Sequence, residues 1–238
     1  MPKTLPFPIF RYKPLTPASI QGGAIIVLQE WWGVNKQCQQ HAQQLADRTG
    51  AHTVIPDLYK GKVGVDAEEA SHLMNNLDWK KAIQELEELV DQLKEAKFSN
   101  IGSIGFCMGG GLSLALATHM AKTKTPLKAA VSCYGTPPGQ LFDVREITTV
   151  TPVQGHFADA LEFNLKTYNT AESTIYRYPE QGHAFLNDEE WSVEQRKALG
   201  FVDKASDPKT SEQQVRDLAW SRITSFFVQH LSNRQQSI

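Results

Sequence analysis

Ile101-Gly102-Ser103-Ile104-Gly105-Phe106-Cys107-Met108-Gly109-Gly110-Gly111-Leu112 reads as a strand, a tight turn and the start of a helix. Ile101–Phe106 is an apolar run of strand length, and Leu112–Met120 continues without a breaker as a helical segment. Gly105 and Gly109 stand two positions before and after Cys107, where so tight a turn leaves no room for side chains against the neighbouring strand or helix. Outward from this unit, Ala24–Leu28, His52–Ile55, Ala129–Cys133, Val150–Gly155 and Thr174–Tyr178 are further apolar runs of strand length, expected as buried parallel strands. Helical periodicity lies between them: Cys38, Ala42, Leu45 and Ala46, then Ile83, Leu86, Leu89, Val90 and Leu93, and finally Val215, Leu218, Ala219, Ile223, Phe226 and Phe227. This alternation predicts an α/β fold with a mostly parallel central sheet and helices on both faces. Lys60–Ala67, Gly135–Thr149 and Asn187–Thr210 lack clean periodicity and are expected as loops.

The 238 residues fit a single domain spanning 1–238, and 41% hydrophobic with 21% charged residues is the composition of a packed globular chain. The formal charge is −2 and the basic residues are dispersed, which argues against nucleic acid and anionic membrane as partners. Met1–Pro8 is too rich in proline for a signal peptide and no apolar run approaches about 18 residues, so a cytoplasmic protein is expected. Cys38, Cys107 and Cys133 are odd in number and show no CxxC spacing. That pattern suits a reducing compartment and calls for no disulfide framework, zinc site or other cofactor. A monomer or weak homodimer is expected.

The chemistry centres on Cys107. A strand–turn–helix unit with the pattern G-x-C-x-G has the form of a nucleophile elbow, with cysteine in place of serine. The helix N-terminus that follows favours a thiolate and offers backbone N–H groups to a developing oxyanion. The alternative is a buried apolar cysteine in a glycine-rich crossover. In an α/β-hydrolase the acid and the histidine follow the nucleophile along the chain. His183, in Pro179-Glu180-Gln181-Gly182-His183-Ala184-Phe185, lies on a loop after the last strand and fits that order. His41, His72 and His119 fall on helices, His52 in a strand and His230 near the C-terminus, while His156 ends the strand before Asp159. Asp159 is the favoured acid, and Glu162, one helical turn on, is its alternative.

With those segments in place the chain resembles the dienelactone hydrolase (carboxymethylenebutenolidase) family, which has the α/β-hydrolase fold. The resemblance is carried by Gln29–Asn35, Val54–Tyr59, Ile104–Gly110, Tyr134-Gly135, Gly182–Phe185 and Ala219-Trp220 with Phe226-Phe227. It implies a triad of Cys107, Asp159 and His183, with Glu30 as the carboxylate that activates the cysteine when substrate binds. It also implies the Trp31 and Met108 N–H groups as oxyanion donors, and Tyr134, Tyr59, Trp32 and Asn187 as residues of the substrate pocket. Two departures stand out. The lactone-cleaving members hold the substrate carboxylate with arginines where this chain has Gly61 and Asn187. Lys60 or Lys62 offers only a flexible point charge in exchange. The family also has two more residues before its aspartate, so Asp159 is reached through a local deletion.

The expected activity is hydrolysis of a small ester or lactone through a thioester on Cys107, with neutral esters serving as well as those bearing a carboxylate. Two rivals remain. Glutamine amidotransferases share the G-x-C-x-G elbow but use a late His-x-Glu pair, which does not occur in this chain. A non-catalytic ligand binder or thiol redox sensor would keep the fold and the thiol without turnover.

Overall fold

Ala24, Ile26 and Leu28 pack to one side of a central strand while Ile25 and Val27 pack to the other, and all five are fully buried. Both faces of the sheet are therefore covered, as a continuous apolar run requires. In the computed structural model, which describes residues 4–15, 20, 22–147, 150–158, 173–179, 181–201 and 208–232 (backbone only over 208–211), that strand is β2, Gly23–Leu28. The others are β1 (Ile9–Tyr12), β3 (His52–Pro56), β4 (Asn100–Phe106), β5 (Ala129–Cys133), β6 (Val153–Ala158) and β7 (Thr174–Tyr178). They form one seven-stranded sheet in the order β1-β3-β2-β4-β5-β6-β7, parallel throughout except for β1, which runs antiparallel along β3.

Helices α3 (Trp79–Glu95) and α4 (Met108–Met120) cover the face of Ala24, Ile26 and Leu28, and α1 (Lys36–Thr49) and α6 (Pro208–Leu231) cover the other. The periodic residues fill these interfaces: Ile83, Leu86, Leu89 and Val90 of α3 on one side, Cys38, Ala42 and Leu45 of α1 with Ala219, Ile223 and Phe227 of α6 on the other. Asn35 and Asp78 cap α1 and α3 by accepting from the Cys38 and Lys81 N–H groups. Two shorter helices, α2 (Ala67–Asn75) and α5 (Glu190–Ala198), complete the fold.

The observed elements correct several expectations. The strand expected at Val150–Gly155 starts at Val153 and runs to Ala158, because Pro152 has no N–H for the ladder. His156 accordingly sits inside a strand, fully buried, with Tyr178 Oη 2.7 Å and Gln154 Oε1 2.8 Å from its ring nitrogens. The expected loop Asn187–Thr210 contains α5 and the first turn of α6, and Gly135–Thr149 contains a 3-10 turn at Val144–Ile147.

The register aligns the carboxyl ends of the central strands, pairing Leu28 with Gly105, Phe106 with Cys133 and Cys133 with His156. Residues just beyond those ends, Glu30, Cys107 and Tyr134, therefore meet over one crevice. A Cβ on Gly105 would lie 1.8 Å from the Gly109 carbonyl oxygen, and one on Gly109 would lie 2.3 Å from that of Leu28. Both partners are backbone and cannot yield. Gly105→Ala is expected to lose at least about 2 kcal/mol of unfolding free energy, whereas Gly139→Ala stays within about 0.5 kcal/mol, because nothing lies within 4 Å of a Cβ on Gly139. Urea unfolding of the two variants measures the difference.

Candidate active site

Cys107 links β4 to α4 with φ 53° and ψ −118°, a conformation that a non-glycine residue holds only when its surroundings dictate it. They do so here. The Cys107 N–H donates to the Cys133 carbonyl at 3.0 Å, and its own carbonyl accepts from the Gly110 and Gly111 N–H groups at the head of α4. The half-buried side chain opens into a cavity of about 170 Å³ lined by Glu30, Trp31, Trp32, Met74, Cys107, His183, Ala184, Asn187, Ser192, Gln195, Arg196, Leu199 and Phe201. Cys38 and Cys133 are buried elsewhere in the core, and all three thiols are free.

Glu30 follows β2, where the Gly33 N–H donates to its carbonyl at 3.1 Å. Its carboxylate is buried, with Oε2 accepting from Asn187 Nδ2 at 2.9 Å and Oε1 unpartnered. Burial raises its pKa to about 7, against the pull of the Asn187 hydrogen bond, the Arg196 charge and the Tyr134 hydroxyl. Burial and the Glu30 charge together push the Cys107 thiol up to about 12, opposed by a hydrogen bond from the Met108 N–H. His183 is driven the other way, to about 4, by burial and by Arg196. At neutral pH the thiol is protonated, the imidazole is neutral and Glu30 is close to its midpoint.

The loop after β7 is fastened to α1. Gln37 Oε1 accepts from the Asp188 and Glu189 N–H groups at 2.9 and 2.7 Å, and Lys36 Nζ pairs with Glu189 at 2.9 Å. This fixes Asn187, which donates to Glu30 and accepts from the Tyr134 hydroxyl at 3.5 Å. The His183 ring lies edge-on between Tyr134 and Phe201, with centroids 5.2 and 5.0 Å away. Trp191 of α5 meets Trp32 at 5.0 Å, joining that helix to the loop after β2.

Of the residues singled out in the sequence, Cys107, His183, Glu30, Trp31, Trp32 and Asn187 share the cavity lining. Tyr134 is a core residue that touches the site through His183 and Asn187. Tyr59 and Met108 are not among the lining residues, and the Tyr59 hydroxyl donates to the Met108 sulfur at 3.3 Å. Asp159 and Glu162 lie outside the described residues. Gly61 is exposed, as are Lys60 and Lys62, and none of the three reaches the cavity. Neither of the family's arginine positions carries an arginine here, and the structure brings in one that the sequence did not single out: Arg196 of α5 lines the cavity. It donates from Nη1 to the Asn187 carbonyl at 3.0 Å and from Nη2 to Glu212 Oε1 at 2.6 Å. Ser192, Gln195 and Arg196 were hidden in the sequence because Glu190–Ala198 has no clean apolar stripe; its helical signals are confined to the ends, the Glu189 cap with Glu190 at the start and Arg196 and Lys197 in the last turn. Among the described residues no His, Cys, Asp and Glu side chains group as metal ligands, and no helix is long and apolar enough to cross a membrane.

A strand–cysteine–helix turn, a carboxylate and a histidine thus share one cavity over the carboxyl ends of a parallel sheet. Residues 10–231 match the model of the dienelactone hydrolase family. Among relatives, protein usf of Aquifex pyrophilus is 26% identical over 230 residues, covering 89% of this chain and 90% of that protein. The carboxymethylenebutenolidase of Pseudomonas putida is 28% identical over 189 residues, covering 71% and 78%. The crystal structure of a dienelactone hydrolase-like promiscuous phosphotriesterase from metagenomic libraries superposes with a TM-score of 0.65 at 17% identity, covering 87% of this chain and 86% of that one. At that identity the superposition establishes the fold alone. The chain belongs to the dienelactone hydrolase family of α/β-hydrolase-fold enzymes and is a carboxylic ester or lactone hydrolase.

The opposed charges make a prediction. Replacing Glu30 by glutamine removes the negative charge that raises the Cys107 pKa, so iodoacetamide should alkylate Cys107 several-fold faster at about pH 8. Below pH 6 or so, where Glu30 is protonated in the parent, the two rates should converge. Mass spectrometry of the labelled peptide reads both. An unchanged rate at the higher pH would show that the Glu30 charge does not act on the thiol.

Proposed function

We propose that Cys107 is the nucleophile of this hydrolase and that the reaction passes through a thioester. The observation that carries the proposal is the Cys107 turn itself, a strained non-glycine residue at the head of α4 opening into the cavity shared with Glu30 and His183. Glu30 takes the thiol proton as substrate enters, and Sγ attacks the carbonyl carbon. The Met108 and Trp31 N–H groups stabilise the oxyanion. Collapse of the tetrahedral species expels the alkoxide or enolate oxygen, which receives the proton from Glu30. His183, oriented by Asp159, then removes a proton from water, the hydroxide attacks the thioester, and the carboxylic acid leaves as the proton returns to Cys107.

The resting ionisation supports this order of events. A thiol near 12 is unreactive until a base is directed at it, and a carboxyl near 7 is a competent base at physiological pH. A neutral His183 is ready to accept a proton in the second half-reaction. The leaving group must be good, as in enol esters and lactones, because the thiolate is itself readily expelled from the tetrahedral species. The substrate is a small ester or lactone, the enzyme acts in the cytoplasm, and neither nucleic acid nor membrane takes part.

Hydrolysis of p-nitrophenyl acetate and of a simple lactone should fall at least about 10³-fold in Cys107→Ala, with circular dichroism unchanged. Undiminished turnover in that variant would remove the mechanism. In the same assay Asp159→Asn should lose far more activity than Glu162→Gln, and the reverse order would reassign the acid.

A further inference from the structure

Six buried side-chain polar atoms among the described residues have no hydrogen-bond partner, and three of them, Glu30 Oε1, Ser192 Oγ and Arg196 Nε, belong to residues lining the Cys107 cavity. Buried polar groups are normally satisfied within the protein. Unused capacity concentrated around one cavity marks where a ligand supplies the missing partner. Glu30 has its place in the proposed reaction. Ser192 and Arg196 do not.

These two residues stand four apart on α5 and so share one face of the helix. Both residues are almost wholly buried, 2% and 3% exposed. The Ser192 N–H donates to the Glu189 carboxylate at 3.4 Å, and the Ser192 hydroxyl has no partner. The Arg196 guanidinium is held at two corners, Nη1 on the Asn187 carbonyl and Nη2 on Glu212. The edge formed by Nε–H and Nη2–H is the one that grips both oxygens of a carboxylate. Here Glu212 uses only the Nη2 corner, and its other oxygen lies 3.3 Å from Arg216 Nη1. One N–H donor and one hydroxyl, carried by two cavity-lining residues on the same face of α5, are left without partners.

We propose that Ser192 and Arg196 form a hydrogen-bonding subsite that selects substrates carrying an uncharged oxygen acceptor, an ether, hydroxyl or ketone oxygen, in the portion held against α5. The charge of Arg196 is already matched by Glu212, and the Glu30 carboxylate in the same cavity opposes a second anion. A neutral acceptor satisfies Nε–H and the hydroxyl without that penalty, whereas an all-carbon chain leaves both unpaired. The proposal rests on the reading of this cavity as the ester site.

The test uses isosteric p-nitrophenyl esters in which one methylene becomes oxygen: butyrate against methoxyacetate, and pentanoate against ethoxyacetate and against 3-methoxypropanoate. The ratio of kcat/KM for the oxygen-bearing ester over its carbon analogue cancels the general level of activity in each variant. Ser192→Ala should lower that ratio about 10-fold in at least one pair, the size of one lost hydrogen bond near the upper end of its usual range. Arg196→Lys, which keeps a cation but removes the Nε–H, should lower it in the same pair. Circular dichroism and a thermal melt establish that each variant is folded, and Ser192→Ala alone decides if Arg196→Lys is not. Ratios within about twofold of the parent in every pair, or a uniform loss across all esters, overturn the subsite while leaving the hydrolase standing. Failure of the parent enzyme to cleave any of these esters overturns both.

Discussion

The turn at Cys107 is possible only because backbone passes where side chains would otherwise be. Gly105 and Gly109 bring β4, α4 and the end of β2 within backbone contact of one another, and that proximity leaves the residue between them no ordinary conformation. Once Cys107 is forced to φ 53°, its N–H reaches the Cys133 carbonyl and its side chain projects over the sheet. The register then places Glu30 on one side and Tyr134 on the other, and the loop fastened to α1 by Gln37 brings Asn187 across to Glu30. Each step depends on the one before, so the geometry of the cavity descends from a steric constraint of five residues.

Electrostatics in the cavity oppose spontaneous activation. The same burial that shields the site raises Glu30 and Cys107 and lowers His183, so at neutral pH the thiol and the imidazole are uncharged while Glu30 stands near its midpoint. Asn187 and Arg196 offset part of that penalty at Glu30, and they keep this carboxyl near neutrality while the thiol stays protonated. A thiol of this kind is protected from stray electrophiles and oxidants, which act on the thiolate. In the mechanism proposed here, the arrival of substrate turns Glu30 from a neighbour that suppresses ionisation of the thiol into the base that receives its proton.

The parts legible in the sequence were those whose physics is local. The glycine spacing around Cys107, the buried runs Ala24–Leu28 and Ala129–Cys133, and the apolar stripe of α3 each carry their own signal, and each forms where it was expected. Strand β1, Ile9–Tyr12, was missed because four half-exposed residues between prolines show no burial pattern, and their place depends on pairing with β3. Helix α5 lies in a stretch expected as loop, because its inward positions are Trp191, Ser192 and Arg196, a mixed set held by contacts outside the helix with Trp32, Asn187 and Glu212. The family's arginine positions carry Gly61 and Asn187 here, while the structure supplies an arginine from α5, Arg196, nine residues beyond Asn187. Contacts of that kind belong to tertiary structure and leave no local pattern.

The central claim, that the reaction passes through an acyl group on Cys107, is tested most directly by trapping the intermediate. His183→Gln should slow deacylation, so brief exposure of this variant to p-nitrophenyl acetate, an acid quench and peptide mass spectrometry should find an acetyl group on the peptide bearing Cys107. Its removal by hydroxylamine would mark a thioester. Acetyl carried by another residue, or product released with no labelled peptide at any time, would contradict the account.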